Sequence, residues 1–580
     1  MRQRNILLLA IPLALSAFTH LWNPLGYPSL HVDEGHYMRK AMSILDGTGI
    51  DPLHRYAAPY FGQIFLAGVL GIVGYPDSLN LSDTGNGVLH SVEMLYLVPR
   101  VLMGLLAVAD TFLIYKITER RYHNRNVALI AAILFAVVPF GWLFRRIFLE
   151  TIQVPFLLTS ILLAVYVKDL KIEKNNSAAR YKTISMILLS GAFLGLSIFT
   201  KVPVFAMIPL VGFLIYTNNT NGHKLRNLGL WFIPVILIPL IWPAHAMIIG
   251  EFDQWIHGIL WQTTGRPSSP LSGTLKTFFQ NDPILFVLSM AGLIYAAVKR
   301  DFFLLLWVIP FLIFLYFIGY VSSFHLMPLV PAFCIAASRF LVEIPRKIKI
   351  IKKYNLQQIL PFAIISGIII FGLVSTTMLI TTNVNSSVYK ALAVIVQKLP
   401  NKDDNTSNTS LVSLVASPIY FPMPRHGFDK VFYEKSYFNA RPLESERYIV
   451  VADRGFMRIM SGTNDRPSTI LMKSLYDNSQ TIDTLVPDDK TKYKLNSYPY
   501  SSMRQSPAAK EIEITSSIAK AQLTTEVKPI TNTTGNSKQN GTPADDNLRG
   551  SDQNDVIVGL AGNDIITGQA GDDNIDGSEG

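Results

Sequence analysis

His31-Val32-Asp33-Glu34-Gly35-His36 stands directly after the first apolar run of the chain, residues 6–22. Two adjacent carboxylates flanked by histidines are costly to hold at the edge of hydrocarbon unless they face water, a partner or a substrate. Taken in isolation, an Asp-Glu pair reads better as a plain polar loop. What surrounds the motif decides between the two.

The surroundings are those of a membrane protein. Of the 580 residues, 49% are hydrophobic and 16% charged, and the mean hydropathy is +0.30, which sets the chain apart from soluble domains. Apolar runs of spanning length follow at 94–115, 127–143, 147–167, 183–199, 202–217, 228–249, 281–298, 302–319, 324–341 and 359–381. Arg2 and Arg4 precede the first run as in a signal peptide, but no small-residue cleavage site follows, so it reads as a retained helix. The sole cysteine, Cys334, lies in an apolar run and excludes a disulfide framework. The net charge of +10 sits in short loops between apolar runs, which is the pattern of membrane orientation and argues against nucleic acid.

The basic loops are Arg2–Arg4, Lys116–Arg125, Lys168–Lys182, His223–Arg226, Lys299–Arg300 and Arg346–Lys353. Placing all of them in the cytoplasm makes the chain a polytopic helical protein of the cell membrane with about eleven spans, a cytoplasmic N-terminus and an extracytoplasmic C-terminal part. Residues 1–382 then form the membrane domain, whose first outer loop, 23–93, carries the acidic motif. The glycine-rich run Pro59–Tyr75 has both ends outside and reads as a re-entrant or surface-lying element. Residues 383–535 alternate short strand and helix signals, including a helical pattern at Val388–Gln397, and suggest a small outer α/β domain. Asn405, Asn408 and Asn532 begin glycosylation-acceptor triplets there. In residues 541–580, Asp546, Asp555, Asp564 and Asp573 recur every nine residues, each followed two places later by Leu548, Ile557, Ile566 or Ile575. That is the repeat of a Ca²⁺-binding parallel β-roll, with carboxylates at glycine turns and aliphatic side chains inside.

On this topology Asp33, Glu34, Arg100, Arg146, Glu150, Lys201 and His325 all fall at the outer membrane face. Cations there can hold a phosphate leaving group while a carboxylate takes a proton from an attacking hydroxyl. A phosphate-linked lipid donor would present its head group at this level. No glycine-rich nucleotide loop is visible. The loop Trp255–Trp261 reads either as a cover over donor or acceptor or as an interfacial aromatic belt. His31 and His36, with Glu34, are candidate ligands of a divalent metal, although their spacing follows no ligand rule.

The segments Asp33-Glu34-Gly-His-Tyr, Ala58-Pro59-Tyr-Phe-Gly62-Gln, Pro99-Arg100, Arg146-Ile-Phe-Leu-Glu150-Thr-Ile-Gln-Val-Pro155, Phe199-Thr-Lys201-Val-Pro203 and Phe324-His325-Leu-Met-Pro328 occur in that order. Together they resemble the protein O-mannosyltransferase branch of the GT-C glycosyltransferases over residues 1 to about 345. The resemblance implies Asp33 as catalytic base and Glu34 beside it in the acceptor or metal environment. It also implies Arg100, Arg146 and Glu150 in the active-site charge network, with Lys201 and His325 near the donor phosphate. Glu150 stands where such enzymes usually have Asp, and Val202 where a glycine is usual. The resemblance implies transfer of a hexose, mannose in the resembled family, from a polyprenyl-phosphate carrier to a hydroxyl of a protein, glycan or lipid, by a single inverting displacement. The alternative from the same charges is a transporter or flippase for a lipid-linked or anionic substrate.

Overall fold

The computed structural model describes residues 2–50, 55–75, 86–169, 177–218, 223–266, 268–345 and 359–398, and beyond these short segments, chiefly strands, up to residue 576. Each of the eleven apolar runs is helical. In chain order the helices are α1 Arg2–Leu21, α2 Val32–Leu45, α3 Phe61–Ile72, α4 Asn86–Tyr122, α5 Arg125–Val137, α6 Leu149–Tyr166, α7 Ser177–Thr200 and α8 Ile208–Asn218. They continue with α9 Lys224–Ile248, α10 Phe252–Thr263, α11 Leu271–Asn281, α12 Pro283–Val298, α13 Phe302–Ile318, α14 Val330–Glu343, α15 Ile359–Ile380 and α16 Ser386–Lys398.

Among the described residues six helices are long and apolar enough to cross a membrane, and up to eight if each of two bent pairs counts as one span. The segments Leu8–Leu21, Val202–Asn218 and Phe302–Ile318 are apolar but shorter. The sequence expectation of eleven thus exceeds what length and composition of the helices establish. A run can look long enough in sequence and still be broken in space, as at the 70° bend after α5 and the 118° bend between α11 and α12. Asp282 pins both bends, because its carboxylate accepts from Leu285 N at the start of α12 (3.0 Å) and from Phe140 N in the 3-10 turn Pro139–Arg145 (3.3 Å).

The buried aliphatic and aromatic residues of α4 to α9 and α12 to α14 form one core. Within it, the span Ser323–Glu343 is 94% buried, whereas the spans of α9 and α15 are 22% and 28% buried. The α14 segment is therefore central, and α9 and α15 turn most of their apolar surface outward to where lipid lies.

α4 extends about 55 Å at 1.5 Å per residue, well beyond the roughly 30 Å of hydrocarbon. Its N-terminal part carries a second core, in which Met38, Met42, Leu66, Leu70, Val92, Tyr96, Tyr389 and Leu392 unite α2, α3, α4 and α16. At 12 residues α3 is about 18 Å long, too short to span, as the reading of Pro59–Tyr75 requires. The helical pattern at 388–397 is real, but α16 packs on this second core.

The described strands between 409 and 518 make a mixed five-stranded sheet in the order β2-β1-β3-β5-β4: β1 Thr409–Ser413, β2 Val431–Phe432, β3 Arg447–Asp453, β4 Gln480–Leu485 and β5 Ile512–Ile518. β1 runs parallel to β2 and β3, and β4 is antiparallel to β5.

Residues from Ile518 onward form a separate compact unit. Its strands β6 Lys538–Asn540, β7 Asn547–Arg549, β8 Val556–Val558, β9 Ile565–Thr567 and β10 Asn574–Asp576 pair in parallel with the next strand but one, as in Lys538 with Val556 and Asn547 with Ile565. A nine-residue repeat that pairs at every second copy is a two-layered roll. Leu548 and Ile557 are buried inside it. Asp546, Asp555, Asp564 and Asp573 lie outside the described residues, as do Asn405, Asn408, Asn532 and the basic loop 346–353.

Candidate active site

The acidic motif is folded by its own side chains. His31 caps α2: its Nδ1 accepts from Asp33 N (3.3 Å), and the Glu34 carboxylate accepts from His31 N (3.0 Å). Together these form a reciprocal box that satisfies two free donors of the helix start. Glu34 is fully enclosed. Arg100 grips it through two donors, Nε to Oε2 (3.0 Å) and Nη2 to Oε1 (2.9 Å), and Ile147 N donates to Oε2 (3.2 Å). Burial alone would raise the Glu34 carboxyl, but the Arg100 charge and hydrogen bonds overcome it and hold the group below the usual carboxylate range. Arg100 also donates to the carbonyls of Pro24 and Pro28. The Glu34–Arg100 pair therefore nails the first outer loop to α4.

Arg145 is equally fixed. Its guanidinium donates to the backbone carbonyls of Thr19, Trp22, Asn23 and Tyr27. Its neighbour Arg146 differs. It donates to Ser29 Oγ (3.2 Å) and lies over the rings of Trp142 and Phe148, at 4.7 and 5.6 Å. Its buried Nε has no acceptor.

Asp33 keeps 31% of its side chain exposed, with His31 Nδ1 3.9 Å away. Loss of hydration, then the Arg146 charge, push the His31 imidazole below its ordinary value, against the pull of Asp33 and Glu34. The His31 ring meets Phe148 and Phe324 edge-on, at 5.3 and 6.2 Å. Those rings also touch each other at 5.3 Å, which joins the acidic motif to the start of α6 and to the turn before α14.

Lys201 completes the floor. Gln153 donates to its carbonyl and to that of Ser197, fixing the turn after α7. Its ammonium pairs with Glu150, whose other oxygen is buried without a donor, and lies 4.7 Å from the Phe324 ring. Gly62 allows α3 to close on this region, since a Cβ there would come within 2.7 Å of Leu149 and 2.8 Å of Thr200. His325 accepts from Ser322 N through Nδ1 (2.9 Å) and stands against Phe324 and Tyr320.

All seven membrane-face residues singled out by sequence thus lie in one continuous network. The structure adds two. Arg266, after α10, stacks over Trp261 and Tyr320 at 5.0 and 4.6 Å, and its buried Nε has no acceptor. Tyr37 lies within electrostatic reach of Asp33, Glu150, Arg266 and Tyr320. Neither carried a sequence signal beyond its residue type. Two ties flank Arg266: Ser269 pairs with the backbone around Tyr320 (Ser269 N to Gly319 O 2.9 Å, Val321 N to Ser269 O 2.8 Å), and α10 is latched onto the first outer loop. Arg55 donates to both oxygens of Glu251 (2.6 Å), and the Tyr56 hydroxyl donates to Oε2 (2.7 Å). α10 itself buries no residue, and its segment Trp255–Trp261 packs partly, with Trp255 and Ile259 against the cluster of Tyr56, Tyr60 and Trp242 and with Gly258 close to Tyr56.

Among the described residues no three His, Cys, Asp or Glu side chains gather as a metal site. Glu34, with both oxygens engaged, does not suit a ligand role with His31 and His36.

Residues 85–245 match the family described as dolichyl-phosphate-mannose-protein mannosyltransferase, and residues 540–580 match the RTX calcium-binding nonapeptide repeat. The fold is similar to that of the Archaeoglobus fulgidus oligosaccharyltransferase in its apo form, with 13% identity, a TM-score of 0.50 and coverage of 80% of this chain and 72% of that one. It is similar also to ArnT from Cupriavidus metallidurans in the apo state, with 13% identity, a TM-score of 0.50 and coverage of 88% and 98%. Comparison with curated proteins gives no match. The chain is thus a multi-pass helical membrane protein whose residues 85–245 match a mannosyltransferase family and whose residues 540–580 carry RTX-type repeats, and its fold is similar to those of the two structures above.

Proposed function

We propose that the protein transfers a hexose, mannose in the first instance, from a polyprenyl-phosphate carrier to an acceptor hydroxyl on the extracytoplasmic side. One observation carries the reading: the half-exposed carboxylate Asp33 lies within electrostatic reach of Arg146, and Tyr37 lies within reach of both Asp33 and Arg266, while neither guanidinium makes an ion pair with a carboxylate among the described residues. Partly desolvated cations without an ion-pair partner are costly, and the singly charged phosphodiester of the donor, which becomes a dianionic phosphate monoester as the sugar leaves, would satisfy them. The family match over residues 85–245 supports the donor class.

In this mechanism an Asp33 oxygen takes the proton of the acceptor hydroxyl as its oxygen bonds to the anomeric carbon. The bond from that carbon to the phosphate oxygen breaks on the opposite face, so the configuration inverts. The leaving phosphate keeps the electron pair, and Arg146, Lys201 and Arg266 hold its charge. Glu150 holds Lys201 in place, and Glu34 holds the loop. Asp546, Asp555, Asp564 and Asp573 would hold Ca²⁺ in the tail, where the ion would tie the roll's turns. The eleven-span topology, with a cytoplasmic N-terminus, belongs to the same proposal.

The test is transfer from labelled polyprenyl-phosphate hexoses to acceptor peptides and glycans by the purified full chain. Asp33→Asn should keep expression and thermal stability and lose about 10²–10⁴ in rate. Arg266→Ala should instead raise KM for the donor. Wild-type rates in Asp33→Asn would overturn the mechanism.

A further inference from the structure

A groove of about 640 Å³ opens on the lipid-facing side between α8 and α9, far along the chain from the acidic loop. Ile208, Gly212, Phe213, Leu228, Gly229 and Phe232 line it. The volume falls in the roughly 300–1,000 Å³ range of ligand pockets. Two glycines make the concavity: a Cβ at Gly229 would meet nothing within 4 Å, and one at Gly212 would only touch the Trp231 ring at 3.4 Å. The wall on the α9 side belongs to a helix whose residues Phe232, Ile233, Ile236 and Leu237 are exposed, so the groove opens sideways into hydrocarbon.

One end of this groove is basic. His223, Lys224 and Arg226 are exposed at the start of α9. Lys224 lies 5.2 Å from the ring of Tyr216, which itself lines the groove. Arg226 reaches only its neighbour Asn227 (3.5 Å). Among the described residues no carboxylate pairs with either cation. Apolar walls with the Tyr216 phenol and the Lys224 ammonium at one end, and Arg226 exposed two residues on, complement one class of molecule: acyl chains below, a phosphate above.

We propose that this groove is a binding site for one anionic phospholipid of the leaflet on the basic-loop side. Its chains lie along Gly212 and Gly229, and its phosphate is held by Lys224 and Arg226. The site is distinct from the donor pocket, and the proposal stands whether or not the transfer reaction does.

Native mass spectrometry of the full chain, titrated with phosphatidylglycerol or phosphatidylcholine, tests it. The wild type should retain one phosphatidylglycerol with roughly thirtyfold preference, given about 1 kcal/mol for each of the two basic residues at an anionic surface. Phosphatidylglycerol should also raise the melting temperature. Lys224→Ala with Arg226→Ala should remove the preference, and Gly229→Leu, which fills open space, should remove retention of either lipid while the chain stays folded. Equal retention of the two lipids by wild type overturns the proposal, as does undiminished phosphatidylglycerol binding in both variants. A two-copy species that Gly229→Leu dissolves would assign the groove to a second copy of the chain and overturn it too.

Discussion

Asp33 leaves 31% of its side chain in solvent, while Glu34, one residue on, is enclosed by Arg100 and the Ile147 amide. The two carboxylates should therefore fail differently. Glu34→Gln leaves Arg100 buried and unpaired, a loss of about 3–5 kcal/mol. It should show as a lower melting temperature and poor yield, whereas Asp33→Asn should melt like wild type. Acidification acts on the same loop. The native His31 value is depressed, so the unfolded chain binds the proton first and the stability this imidazole contributes is lost as pH falls below about 6.5. Glu34, also depressed, adds its own loss only lower, below about 4.5. Melting scans from pH 7.5 to 5.5 should show a smaller decline in His31→Asn than in wild type. The residue types of the motif were legible in sequence. Their division of labour was not, because it depends on Arg100, 66 positions away, and on which carboxylate the second core encloses.

α10 is the element that the sequence left undecided between a cover and an interfacial belt. In the structure it buries nothing of its own and is tethered at its start by Glu251, held by Arg55 and Tyr56 from the first outer loop. The Tyr56 and Arg55 hydrogen bonds also keep the Glu251 carboxyl below its ordinary value. Glu251→Gln should loosen the helix: hydrogen exchange over 252–266 should quicken, and the donor KM should rise roughly two- to fivefold with little change in kcat, in line with a half-exposed ion pair. An unchanged exchange rate would show that the tether does not set the position of Arg266. The spanning helices themselves were plainly written in apolar runs, since burial in lipid needs only continuous hydrophobicity. The bends at Asp282 and after α5 were invisible to that pattern, because a bend costs no hydropathy.

At the scale of the molecule, the roll from Ile518 onward is built from its own strands in an 18-residue register. Ca²⁺ should therefore protect that segment from proteolysis and EGTA should expose it, while deletion of 541–580 should leave transfer by the membrane domain intact. A tail indifferent to Ca²⁺ would remove its assigned ion. The nine-residue repeat announced this unit because periodicity survives in sequence, whereas the seam between the two ends of the membrane domain left no such trace. The loop after α1 is stitched to the end of α15. Asn23 donates to the carbonyls of Ile380 and Thr382. Asn385 donates to those of Leu25 and Pro28, and its own oxygen accepts from Leu30 N. These partners stand some 355 positions apart. At about 5–20 residues per second of synthesis, the first outer loop waits on the order of 20–70 s for its closing strand of contacts. A nascent chain halted before residue 385 would hold every charged group of the site and still lack the contacts that fix its first outer loop, so the site takes its shape only after the membrane domain has been made in full.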